Sequence, residues 1–273
     1  MAAIEPMRQF LIHKVVDIAP FNLGGMTVDL SITNSIAMMI LAAAVVCLIL
    51  GLSARGAVVP GRLQTVGESL FDLVDGTLVT PIIGPAGRPY IPFILTIFML
   101  ILVMNLMGVV LAFGHLGGQD WTFTPTAQLA VTAALAVLTF VSVLVIGFIK
   151  NGLGFFKLFV PSGMPLAMVI FVVPFEVISF LVRPLTLAMR LFGNMLGGHV
   201  VINIFASFVV ALGVVGLAGF GLNNLGLLGS LGSLAMVVAL TGLELVVAGL
   251  QAFVFAALAT VYLSEVVNLG HGH

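Results

Sequence analysis

The amino-acid sequence predicts an all-α membrane protein. About five membrane-embedded helices are expected plus one interfacial amphipathic helix, the last two long, strongly tilted and folded as an antiparallel hairpin. Three observations carry this. Of 273 residues, 61% are hydrophobic and only 7% charged, against about a quarter charged in soluble domains. The mean hydropathy is +1.31, and the apolar residues come in runs of about twenty, the length that crosses roughly 30 Å of hydrocarbon. Finally, the last hundred residues hold two much longer apolar stretches in which a few ionisable side chains recur at regular intervals.

The composition also excludes several classes. A formal net charge of −1 supplies no basic arm or acidic tail, so nucleic acid is not an expected partner. Cys47 is the single cysteine and can form no internal disulfide. The opening MAAIEPMRQFLIHKVVDIAPFNLGG lacks a cationic start followed by an apolar block and a small-residue cleavage site, so no cleaved signal peptide is expected. Residues 1–31 read as an ordered or interfacial outer tail of a single membrane domain covering 1–273.

Three ordinary spans follow from run length, at 32–52, 90–113 and 127–149, each closed by Gly, Pro or charged residues. Between the first two, residues 58–84 mix Arg62, Glu68, Asp72 and Asp75 with apolar side chains, the pattern of a helix lying at an interface. From 161 to 220 no polar loop intervenes, yet sixty helical residues would extend roughly 90 Å, about three times the bilayer requirement. Strong tilt, or a break near Gly197 and Gly198 where helix propensity is poorest, would accommodate it. GFGLNNLGLLGSLGS, 219–233, is the expected turn, and 234–265 the returning helix. No inverted repeat or low-complexity segment stands out.

Orientation follows from basic residues. The 54–88 loop holds Arg55, Arg62 and Arg88, and Lys150 and Lys157 flank Asn151, whereas the loops near Gly117 and Asn223 hold none. The first two loops are therefore expected on the cytoplasmic side. That sets the N-terminus outside and His271 and His273 at a cytoplasmic C-terminus, although Arg8 and Lys14 in the outer tail, accompanied by Glu5 and Asp17, work against the rule.

The ionisable residues of the long pair are Glu176, Arg183, Arg190 and His199 on the first helix and Glu244 and Glu265 on the second. Arg190 is the sharpest anomaly, because an arginine at mid-bilayer costs roughly 2.5–3.5 kcal/mol even on the lenient insertion scale. Glu176, Arg183 and Arg190 are seven apart and stay within about 40° on one helix face, with Asn194 one turn on. Glu244, Gln251 and Glu265 likewise fall at multiples of seven. Facing residues of a regular antiparallel hairpin keep a constant sum of numbers. If His199 faces Glu244, the midpoint falls at 221–222, inside the expected turn; Arg190 then lies opposite 253, near Gln251, and Glu176 opposite 267, near Glu265. Arginine stays protonated and cannot carry a proton through a cycle, whereas Glu and His can titrate. Two half-pathways separated by a fixed positive charge are the arrangement these residue types suggest. The plainer readings are a structural ion pair for Arg190, a snorkelling Arg183, a Glu176 paired with Arg183 at the surface, a satisfied buried His199–Glu244 pair, and hydrogen-bonding Asn194 and Gln251 between helices.

RPLTLAMRLFGNMLGGH at 183–199, followed by ELVVAGLQAFVF from Glu244, resembles subunit a of the F-type ATP synthases, a likeness extended by MNLMG at 104–108 and PTAQLAVT from Pro125. The resemblance implies a proton-conducting stator with no covalent chemistry or cofactor of its own and no metal site. Arg190 would face in turn each carboxylate of a rotating ring of c subunits. Asn194, His199, Glu244 and Gln251 would line the outer half-channel and Glu176 would mark the inner one. It further implies contacts with peripheral stalk b subunits, an indirect link to the soluble ATP synthase head, and a cell inner membrane. Many bacterial members of the family carry Glu at the site of His199 and His at that of Glu244. The exchange seen here, with Gln128 where several have Asp, is like mitochondrial-type members. The contrasting expectations are a self-contained proton-coupled secondary transporter, which the missing repeat disfavours, and a passive membrane scaffold.

Overall fold

In the computed structural model the described residues are 14–16, 21–23, 26–28, 31–54, 61–112, 124–160, 166–217 and 223–269. Arg55, His115, His271 and His273, most of the N-terminal tail and the tip of the final hairpin lie outside them. Within the tail four short strands pair as two antiparallel ladders: β1 (Lys14–Val16) with β4 (Ile32–Thr33), and β2 (Phe21–Leu23) with β3 (Met26–Val28).

Apart from short turns, the other described residues are helical. Helix α1 is Asn34–Ser53, α4 Ile91–Ala112, α5 Leu129–Asn151, α6 Leu166–Leu217 and α7 Asn223–Val267. These five are long and apolar enough to cross a membrane, which is the form a chain takes where each backbone N–H and C=O must find its partner internally. Between α1 and α4 lies the amphipathic α2 (Arg62–Val74), followed by one wider helical turn over Asp75–Val79 and the short α3 (Thr80–Ile82). The wide turn comes just before Pro81, which has no N–H to donate. Gly84, at φ 82°, then turns the chain into Pro85, a backbone conformation open to glycine at little cost.

Of the two forms the sequence left open for 161–220 the break is excluded, and the expected start of the last helix is corrected. Helix α6 runs unbroken through Gly197 and Gly198, because two glycines cost only about 2 kcal/mol of propensity and a hydrocarbon setting penalises any opened backbone group more. Helix α7 begins at Asn223 rather than 234, so GLLGSLGS is helix and not turn. Its glycines and serines serve contact between helices instead: Ser230 Oγ donates to the Val209 carbonyl at 2.9 Å. A Cβ on Gly226 would lie 2.8 Å from the backbone nitrogen of Gly216. Without a hydrophobic force between helices in lipid, such close approach is what holds them.

The chain groups into two compact units. One contains Met1–Leu41, Met104–Gln128 and Phe192–Leu250; the other contains Ala42–Val103, Leu129–Leu191 and Gln251–His273. In the first, Ala127, Met195 and Ala248 form a buried cluster with Leu106 against it, and Asn105 Nδ2 donates to the Ala248 carbonyl at 3.1 Å. In the second, Ala252, Phe255, Ala256, Ala259, Leu263 and Val266 make a buried stripe on α7 at spacings of three and four, one face of a helix. Asn151 and Ser264 tie that helix to its surroundings, Asn151 Nδ2 donating to the Val266 carbonyl at 2.8 Å and Ser264 Oγ to the Ile82 carbonyl at 2.9 Å. Phe148, Phe155, Phe156, Phe159 and Phe180 pack edge to face or tilted beside it, geometries aromatic rings prefer.

The close approach at Gly226 is testable. Gly226→Val should lower the thermal unfolding midpoint of the purified protein, by the equivalent of about 1–3 kcal/mol for overpacking. Gly232→Val, at a position where a Cβ meets nothing within 4 Å, should leave it nearly unchanged. Equal midpoints for the two variants would refute the packing account.

Candidate functional site

Ionisable side chains of the last two helices meet in two places, one in each unit. In the first unit, His199 of α6 and Glu244 of α7 are both buried, and His199 Nδ1 lies 3.2 Å from Glu244 Oε1. This is the facing pair on which the hairpin register was built. The distance is that of an ion pair, yet Glu244 Oε1 has no hydrogen-bond partner among the described residues. On its other side His199 Nε2 lies 2.7 Å from Thr124 Oγ1. Thr124 was not singled out from the sequence; its position just before PTAQLAVT was the available signal. Gly198, beside His199, keeps the site open: a Cβ there would stand 2.8 Å from Glu244 Oε1.

In the second unit Arg183 of α6 pairs with Glu265 of α7. The guanidinium also sits over the rings of Tyr262, 4.8 Å from the centroid, and Phe180, at 5.3 Å, both attractive for a cation. The Glu265 partner expected for Glu176 is thus taken by Arg183, and the ion pair considered between Arg183 and Glu176 is not formed. The residue sum for the Arg183–Glu265 pair exceeds that for His199–Glu244 by five, so the single register expected of the hairpin does not describe both contacts. Glu176 is half-buried and makes no ion pair among the described residues.

Arg190 differs from Arg183. Its side chain is exposed, and no hydrogen bond or ion pair reaches it from the described residues. Along α6, Thr186, Gly193, Asn194 and Gly197 are exposed as well, and a Cβ at Gly193 or Gly197 would meet nothing within 4 Å. The charge therefore stands among small side chains on an open helix face. Asn194 and Gln251 each make further interactions within the chain; Asn194 is exposed and Gln251 buried. No group of three His, Cys, Asp or Glu side chains that could hold a metal ion occurs among the described residues.

These features define a class: a multi-pass helical membrane protein whose last two helices carry a buried acid–base pair and an outward-facing cation. The family described as ATP synthase A chain matches residues 36–264. The ATP synthase subunit a of Rhodopseudomonas palustris strain BisB18 is 42% identical over 270 residues, covering 98% of this chain and all of the relative. Those of Nitrobacter winogradskyi and Allorhizobium ampelinum strain S4 are each 44% identical, covering 98% of this chain and 100% and 99% of their own lengths. The chain belongs to the ATP synthase A chain family, the membrane subunit a of F-type ATP synthases.

The Arg183–Glu265 contact can be measured directly. A double-mutant cycle with Arg183→Met and Glu265→Gln, read by thermal stability of the assembled complex, should give a coupling of about 1 kcal/mol, the modest figure suited to a partly exposed pair. A coupling of zero would show that each side chain acts alone.

Proposed function

We propose that this chain is the stator of the proton-driven rotary motor, with Arg190 as the fixed charge that meets each carboxylate of a rotating c-subunit ring. The observation that carries the reading is the exposure of Arg190, without an ion-pair partner in the described chain, on an apolar helix long enough to cross the membrane. A permanent cation in hydrocarbon costs several kcal/mol unless something neutralises it. The open surface at Thr186, Gly193 and Gly197 leaves room for the counter-charge to arrive on another helix.

The chemistry then follows from which groups can titrate. Arg190 cannot release its proton; its charge favours the ionised form of a carboxylate beside it, through the attraction of opposite charges. A ring carboxylate that approaches protonated gives up its proton as it comes under that influence. The proton cannot hop past a fixed positive charge, so it leaves by the path on its own side. After passing Arg190 the carboxylate is reprotonated from the other side. His199, Glu244, Asn194 and Gln251 serve the outer half-channel and Glu176 the inner one, with the N-terminus outside and the C-terminus cytoplasmic. Net proton flow therefore requires the ring to turn, and the turning is what the soluble head converts to ATP. The amphipathic α2 is the natural contact for the peripheral stalk b subunits, and the exposed apolar faces of α6 and α7 suit ring helices and lipid.

Arg190→Ala in the complete complex, reconstituted in vesicles, should reduce ATP-driven proton pumping by about a hundredfold or more, matching the roughly 3 kcal/mol at stake for an intramembrane charge. Pumping at wild-type rate would overturn the proposal. A second test concerns the acid–base pair. The exchange His199→Glu with Glu244→His retains one acid and one base in contact, so the double variant should pump faster than either single variant, a non-additivity expected of touching residues. Equal loss in all three would separate the two side chains functionally.

A further inference from the structure

We infer that Thr124 is a positioning residue of the proton path, holding the His199 ring in both of the protonation states it passes through; this rests on the stator reading above. Thr124 Oγ1, His199 and Glu244 stand in a row, 2.7 Å from hydroxyl to Nε2 and 3.2 Å from Nδ1 to Oε1, the second an ion-pair distance rather than a hydrogen bond. All three residues are buried, at 3%, 8% and 6% exposure. Polar groups taken this far from water are held to a partner by the cost of losing it.

A hydroxyl is suited to the task because it both donates and accepts. While neutral His199 carries its proton on Nε2, that N–H donates to Thr124 Oγ1 and Nδ1 is bare towards Glu244. When a protonated Glu244 passes its proton to Nδ1, its O–H bond breaks and an Nδ1–H bond forms, giving a carboxylate and an imidazolium whose Nε2–H still donates to Thr124 Oγ1. When the imidazolium gives its Nε2 proton to a water, that N–H bond breaks and an O–H bond of hydronium forms; the ring is left neutral with its proton on Nδ1, and the Thr124 O–H turns to donate to the bare Nε2. The hydroxyl rotates between these roles and the ring stays in place. Valine has the same shape but neither donates nor accepts, so it would leave Nε2 without its partner in either state.

The surrounding backbone is arranged for this contact. Gly108 of α4 faces Thr124 so closely that a Cβ there would overlap both Oγ1 and Cγ2. Any side chain at 108 would push Thr124 off its present position. A Cβ on Gly198 would likewise crowd Glu244 Oε1, at 2.8 Å. Both ends of the line therefore occupy space that a glycine leaves. Thr124 itself comes just before the turn at Pro125–Ala127, whose Ala127 N–H donates to the Thr124 carbonyl at 3.0 Å, fixing the backbone from which the side chain projects.

The experiment uses the complete complex in vesicles, with Thr124→Val, Thr124→Ser, Gly108→Ala and His199→Ala compared for ATP-driven proton pumping, its H2O/D2O rate ratio, and subunit content on native gels. Thr124→Val should slow pumping about tenfold, the worth of one hydrogen bond at the rate-controlling step, and raise the isotope ratio, while Thr124→Ser stays within about twofold of wild type. Gly108→Ala should resemble Thr124→Val. Serine performing as poorly as valine, or valine pumping with the wild-type rate and isotope ratio, would overturn the role of Thr124. If His199→Ala stops pumping while Thr124→Val does not, this inference alone fails. If His199→Ala pumps as wild type, the assignment of the path itself fails and the inference with it.

Discussion

Hydrocarbon gives helices no reason to hide apolar side chains from one another, since lipid tails are as apolar as leucine. What joins them is close approach and whatever polar contact that approach allows. The structure depends on this constraint throughout. Alanines 252, 256 and 259 on α7 are fully buried, and Gly147 of α5 comes so near that a Cβ would meet Val266 Cγ1 at 2.5 Å. Asn105, Asn151 and Ser264 then give their side-chain N–H or O–H groups to carbonyls on neighbouring segments. Large apolar side chains such as Phe171, Phe175 and Leu217 point outward instead, more than 70% exposed, which inverts the usual order of a soluble protein.

The same constraint makes the two arginines of α6 informative as a contrast. Arg183 is neutralised inside its own chain by Glu265 and flanked by two aromatic rings. Seven residues later Arg190 has no ion-pair partner among the described residues. One chain thus contains a cation neutralised from within and, seven residues on, a cation on an exposed helix face. Under the proposed function the second is neutralised from outside, by a ring carboxylate.

Helix number and type were legible in the sequence because apolar run length is a strong signal in a bilayer, and the His199–Glu244 contact was legible because two polar residues stood out against so little polarity. Register beyond that contact was not. The sum rule assumes regular, parallel axes, and the Glu265 of the real structure goes to Arg183. The start of α7 was misplaced for a related reason, since Gly and Ser mark turns in water but contacts between helices in lipid. Thr124 escaped notice because a threonine before a proline carries no periodic signal, and only the fold brings it to a residue 75 positions away.

The continuity of α6 has a mechanical side. The helix stays continuous through Gly197 and Gly198 although each has the poorest propensity short of proline. It also continues through Pro174 and Pro184, neither of which supplies an N–H to the ladder. Gly198 therefore gives room to Glu244 Oε1 without costing the helix its continuity: the glycine provides clearance and not a hinge.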